Sequence, residues 1–196
     1  MMMKHGVLSE PRPPKSCIAR RRFLQYATIA AVANLFPTSI LTALARTLDT
    51  EKTLSFYNTH TRENLETCYF RRGSYCPKAL AHINHILRDH RTDKVKPIDT
   101  GLLDLLHALS VSLHSQEPFH IISGYRSPSS NALLRRKSKG VAAFSLHMQG
   151  KAVDIRLPRC PGKKLRKAAV NLKRGGVGYY PRLNFIHVDV GRVRYW

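Results

Sequence analysis

The sequence predicts an α+β domain in which helices pack on one face of a small antiparallel sheet and a cleft opens on the other face. Three observations predict it. Apolar residues recur at helical spacing in two segments of the first half. Apolar and polar residues alternate over the last third. His147, Asp154 and His187 fall on or beside those alternating segments. With 196 residues, the chain suits one domain plus an extension and can bury a core without metal or disulfide staples.

Residues 1–45 read as an export signal. Basic residues lead into Ala19-Arg20-Arg21-Arg22-Phe23-Leu24-Gln25, an apolar run follows from Tyr26 to Phe36, and Ala43-Leu44-Ala45 is a small-x-small cleavage signature. Paired arginines followed by x-Phe-Leu-Gln resemble the twin-arginine signal, which carries folded proteins across an inner membrane to the periplasm. A membrane-associated helix is the competing reading, and the short apolar stretch broken at Pro37 argues against a full span.

Residues 46–196 are then the working domain. The signal carries six basic side chains and one acidic one, so the remainder keeps a net charge of +16 out of +21. Such a field draws a protein towards anionic polymers or surfaces. No nucleic-acid-binding motif accompanies the charge, and an export signal argues against that partner. Cys17, Cys68, Cys76 and Cys160 form no C-x-x-C pair, which excludes a zinc ribbon. Cys68 and Cys76 either close a short loop or stay as free thiols packed like small hydrophobes.

Alternation around Leu54, Phe56, Tyr69 and Phe70 predicts one or two short strands before Tyr75. Pro77 opens a helix to about His90 with Leu80, Ile83, Ile86 and Leu87 on one face. His82, His85 and His90 on that segment read as solvated or supporting side chains rather than ligands. Asp99 or Thr100 caps a second helix carrying Leu102, Leu103, Leu106, Leu109 and Leu113. Phe119–Ile122 is a strand that breaks at Ser123-Gly124-Tyr125-Arg126-Ser127-Pro128, a turn that displays Tyr125 and Arg126 at the sheet's end. Ser130–Lys139 is mixed, part helical turn and part basic loop. In the strand Ala152–Leu157, Val153, Ile155 and Leu157 share one face and Asp154 the other. Gly162–Arg174 is a basic amphipathic helix with Leu165, Ala168, Ala169 and Leu172 inward. A closing meander follows over Val177–Tyr180, Phe185–Val190 and Val193–Tyr195, with His187 and Asp189 on the face of the middle strand opposite Ile186 and Val188.

Two imidazoles and one carboxylate, His147, Asp154 and His187, are the inventory of a catalytic zinc site that leaves its fourth position to water. Gly150 lets the chain fold back between the first two.

The chain resembles the zinc D-Ala-D-Ala carboxypeptidase and murein endopeptidase family, within it the exported murein endopeptidase K branch. The motifs that carry the likeness are S-G-Y-R-S-P at 123–128, S-L-H-M-Q-G-K-A-V-D-I at 145–155, G-G-V-G-Y-Y-P at 175–181 and F-I-H-V-D-V-G-R-V-R-Y-W at 185–196, with L-S-F-Y-N-T-H-T-R-E from Leu54. The resemblance implies a hedgehog or D-Ala-D-Ala peptidase-like fold. It implies Zn2+ held by His147, Asp154 and His187, and Arg126 as the residue that orients substrate or stabilises an oxyanion. Many relatives carry a catalytic acid three residues before the last histidine ligand, where this chain has Asn184. Asp189 is then either the general base or a carboxylate that orients a ligand histidine. The implied reaction is hydrolysis of peptide cross-links in peptidoglycan, whose stem peptides carry free carboxylates that a basic domain attracts. A carboxypeptidase acting on stem peptides and a noncatalytic zinc-containing wall-binding module are the alternatives.

Overall fold

The computed structural model describes residues 51–138 and 140–196, so the expected signal at 1–45 lies outside the described residues. Eight strands form one sheet: β1 (Lys52–Asn58), β2 (Asn64–Arg71), β3 (Ser74–Tyr75), β4 (Phe119–Ser123), β5 (Ala152–Arg156), β6 (Gly176–Tyr180), β7 (Phe185–Asp189) and β8 (Arg194–Tyr195). Four α-helices accompany them: α1 (Pro77–Ile86), α2 (Thr100–Leu113), α3 (Pro128–Lys137) and α4 (Gly162–Leu172).

The expected small antiparallel sheet is corrected by this arrangement. The strand order is β3-β2-β1-β4-β5-β7-β6-β8, and the sheet is mixed because β1 pairs with β4 and β6 with β8 in parallel. Parallel neighbours need a long crossover, and the chain supplies it between β1 and β4 by running through the β2–β3 hairpin, α1 and α2. The closing segment is likewise no meander. Both ladders of β7 are taken, by β5 and β6, so β8 pairs on the free edge of β6.

One side of the pleat is apolar throughout. Leu54 and Phe56, Phe119 and Ile121, Val153 and Ile155, and Ile186 and Val188 all point to it and are buried. Against them pack Ile83 of α1, Leu102, Leu103, Leu106 and Leu109 of α2, and Leu165 and Ala169 of α4. Each large side chain buried there contributes about 1.5–3 kcal/mol of hydrophobic stabilisation. The other side of the central strands is left for polar side chains.

Helix α1 stops at Ile86, short of the expected His90. The carbonyl of Leu87 accepts the Tyr125 N–H at 2.7 Å, and the buried Asp89 accepts the N–H of Ser127 at 2.8 Å and of Arg91 at 3.0 Å. The segment after α1 therefore anchors the 123–128 turn instead of continuing the helix. His90 leaves the helix and stacks on His60, ring centroids 3.7 Å apart, while His82 and His85 are exposed on α1. Ser127 caps α3 through the Ser130 N–H with Pro128 in the first turn, so residues 130–137 of the mixed stretch are helical, with Arg135, Arg136 and Lys137 in the last turn. The β2–β3 pairing sets Cys76 opposite Tyr69, whereas Cys68 precedes Tyr69 and points to the other face. Cys68, Cys76 and Cys160 are free thiols.

Burial alone would raise the Asp89 carboxyl, but hydrogen bonds from Ser127, Ser130 and the Arg91 backbone outweigh it and hold the group well below the usual carboxylate range. A carboxyl with a depressed folded-state value adds stability above its ordinary value near pH 4 and loses it as the pH falls through the folded value. Asp89→Asn is expected to cost about 1–3 kcal/mol at neutral pH. In urea titrations the gap between variant and parent should narrow as the pH is taken below about 4.

Candidate metal centre

Asp154 and His187 are direct partners across the antiparallel β5–β7 ladder. Their neighbours Val153, Ile155, Ile186 and Val188 fill the core, so the pleat sends both functional side chains to the opposite face, as the alternation predicts. His147 comes from a 3-10 turn, Leu146–Gln149, started by the Ser145 hydroxyl on the His147 N–H and closed by Gly150 in the left-handed region at φ 70. A Cβ at Gly150 would stand 2.3 Å from the Pro97 carbonyl oxygen, so only glycine fits the turn. The Arg126 N–H donates to the His147 carbonyl at 3.2 Å, tying the 123–128 turn to the ligand segment.

Each imidazole has one nitrogen occupied and one aimed inward. His147 Nδ1 donates to the Gly124 carbonyl at 2.8 Å, which leaves the Nε2 lone pair free. His187 Nε2 donates to Asp189 Oδ2 at 2.9 Å, which leaves the Nδ1 lone pair free. His147 Nε2 and His187 Nδ1 lie 3.1 Å apart, and Asp154 Oδ1 is 3.3 Å from the first and 2.9 Å from the second. All three residues are buried, with ligand atoms within 4.8 Å of one another. Three acceptors turned towards one point fit a cation between them, with partners behind each ring that fix its tautomer and orientation.

The electrostatics agree with that fit. Burial works against an imidazolium at His187, yet hydrogen bonds to Asp154 and Asp189 outweigh it and push the ring up to about 9. Asp154 is held low by the two histidines despite its burial. A divalent ion bound there would take the place of the proton that such a field favours.

Asp189 is fully buried. It accepts from Gly176 N at 3.1 Å, Gly191 N at 2.8 Å, Arg194 Nη1 at 3.1 Å, Arg194 Nη2 at 2.7 Å and His187 Nε2. These partners hold its carboxyl well below the usual range even though burial opposes ionisation. Arg126 Nη2 lies 3.7 Å from Asp154 and 3.4 Å from Ser123 Oγ, Arg126 Nη1 donates to Asn131 at 3.3 Å, and the buried Nε has no partner among the described residues. Burial pulls the guanidinium below its ordinary value, and Asp154 partly offsets that.

The donor set forms one wall of a cleft of about 380 Å³, lined also by Arg126, Phe144, Tyr180, Leu183, Phe185, Arg194 and Trp196. A larger cavity of about 520 Å³, lined by His120, Arg156, Cys160 and Asn184 among others, has no converging ligands, so the chemistry belongs to the smaller one. Asn184 sits at φ 51 and lines that other cavity rather than the cleft. Residue-by-residue reading assigned no role to Gly178, Tyr180 and Trp196. Gly178 pairs with His187, and a Cβ there would stand 2.5 Å from the Trp196 indole. The alternation that selects His187 also puts positions 178 and 180 on its face; the return of β8 that delivers Trp196 has no such signal.

Two imidazoles and a carboxylate beside an open cleft match the donor set that catalytic zinc sites use rather than that of closed structural ones. The family model described as Peptidoglycan L,D-endopeptidase MepK matches residues 46–196, and the chain belongs to this family. Among similar proteins, Peptidoglycan L,D-endopeptidase MepK of Escherichia coli K12 is 40% identical over 177 residues, covering 90% of this chain and 96% of the relative. The Probable peptidoglycan L,D-endopeptidase MepK of Haemophilus influenzae is 36% identical over 178 residues, covering 90% and 95%. The resemblance to the murein endopeptidase K branch is borne out.

Gly73 provides an internal control for the Gly150 turn, since it also has positive φ but nothing within 4 Å of a Cβ. Gly73→Ala is expected to cost about 1 kcal/mol of backbone strain. Gly150→Ala adds the Pro97 clash and is expected to cost about 1–3 kcal/mol more, read as the difference between the two variants in denaturant midpoints.

Proposed function

We propose that residues 46–196 form a zinc metallopeptidase domain that hydrolyses peptide cross-links in peptidoglycan, with the L,D-endopeptidase activity for which its relatives are named. Residues 1–45 are its export signal, and the twin-arginine route to the periplasm is the reading their motif supports. The observation that carries the enzymatic reading is the convergence of His147 Nε2, Asp154 Oδ1 and His187 Nδ1 beside an open cleft.

His147, Asp154 and His187 are the ligands in this reading. When bound, zinc supplies a Lewis acid and lowers the pKa of a coordinated water to about 7. Arg126 lines the cleft beside the donor set, which supports it as the cation that stabilises negative charge developing on the carbonyl oxygen. Full burial and five hydrogen-bond donors support Asp189 as the group that orients His187 rather than the general base. The net charge of +16 that residues 46–196 keep attracts stem-peptide carboxylates, an attraction that salt screens.

Digestion of purified cross-linked muropeptides tests the assignment: monomers should appear from dimers and vanish when a chelator is added. A shortened stem in place of monomers would indicate a carboxypeptidase, and chelator-insensitive cleavage would remove zinc from the mechanism. Asp189→Asn is expected to weaken zinc affinity by about 10–100-fold in chelator competition. Arg126→Ala should retain zinc and lower kcat by about 10²–10³-fold.

A further inference from the structure

Peptide hydrolysis needs a proton at the departing amine, and the groups that relatives or simple proximity would nominate are all committed elsewhere. Asn184 carries no acid and lines the other cavity. Asp189 is buried with both oxygens occupied. Asp154 belongs to the donor set, and the Arg194 guanidinium is engaged with Asp189. Ser138 and Ser145 also line the cleft, but an aliphatic hydroxyl is a far weaker acid than a phenol and a correspondingly poor proton donor.

The phenol that lines the cleft, Tyr180, remains. Tyr180 stands on the His187 face of the sheet, two residues past Gly178, the cross-strand partner of His187. Its ring is held by stacking on Phe185, centroids 4.6 Å apart at 20°. Its Oη accepts the indole N–H of Trp196 at 3.1 Å. The indole can only donate, so the phenol must act as acceptor in that bond and its own proton stays free for another partner. Trp196 is itself lodged over Gly178, with its ring centroid 5.4 Å from that of His187. The phenol is thus positioned by two aromatic neighbours beside the metal donor set.

We propose that Tyr180 is the catalytic proton donor to the leaving amine nitrogen, an assignment that rests on the peptidase reading above. The scissile C–N bond breaks with its electron pair going to nitrogen, and nitrogen takes the phenolic proton. The attacking water forms the new C–O bond and gives up its two protons: one restores the phenol, and the other passes to solvent as the product carboxylate forms. No further reactant is consumed.

The test compares a cross-linked muropeptide with a depsipeptide analogue that has an ester at the scissile position, because an alkoxide leaves with far less help from a proton than an amine does. Tyr180→Phe keeps the ring and removes only the hydroxyl. It is expected to lower kcat on the amide by about 10²-fold or more and on the ester by less than about 5-fold, with KM and zinc content unchanged. Trp196→Phe removes the N–H that orients Oη and should show a smaller loss with the same preference for the amide. Equal losses on both substrates, or no loss on the amide, would overturn the assignment. Wild-type enzyme assayed alongside reads the endopeptidase assignment separately, since its failure to cleave the amide would sink that reading whatever the variants do.

Discussion

The pairing of β5 with β7 in one register is the constraint on which the rest of the molecule depends. Asp154 faces His187 and Val153 faces Val188 across the same ladder, so a single alternation buries the core and assembles the donor set. A slip of one residue would turn every side chain of a strand to the wrong face. It would also expose Val153, Ile155, Ile186 and Val188, none of which is exposed to solvent, at about 1.5–3 kcal/mol each. Packing energy on one face of the ladder therefore holds the geometry of the donor set on the other.

Around that ladder, each histidine of the donor set is held from behind by a group of a different kind. His147 leans on a backbone carbonyl, Gly124, at the turn that also presents Arg126. His187 leans on Asp189, which is neutralised by Arg194 and two backbone N–H groups. The 123–128 turn is pinned in turn by Asp89 and the Leu87 carbonyl. Disturbing the segment after α1 would thus be felt at Arg126 through the 123–128 turn it anchors.

Features encoded by local alternation were legible in the sequence. The faces of β5 and β7, the Asp99 cap of α2 and the glycine turn after His147 all stand where period-two and capping rules put them. Features set by distant pairing were not. Nothing near residues 194–196 says that this strand returns to the edge of β6, and nothing near Asp89 says that it will cap a turn some forty residues on. The same limit applied to Asp189: alternation put it beside His187, but only the arrival of Arg194 and Gly176 showed its oxygens to be fully engaged.

The pairing parity of the β2–β3 hairpin bears on the redox conditions in which the domain can fold. Cys68 and Cys76 stand on opposite faces of their ladder, and all three described thiols are free. No covalent bond of the described fold waits on an oxidant. The described fold can therefore form in a reducing compartment as readily as in an oxidising one.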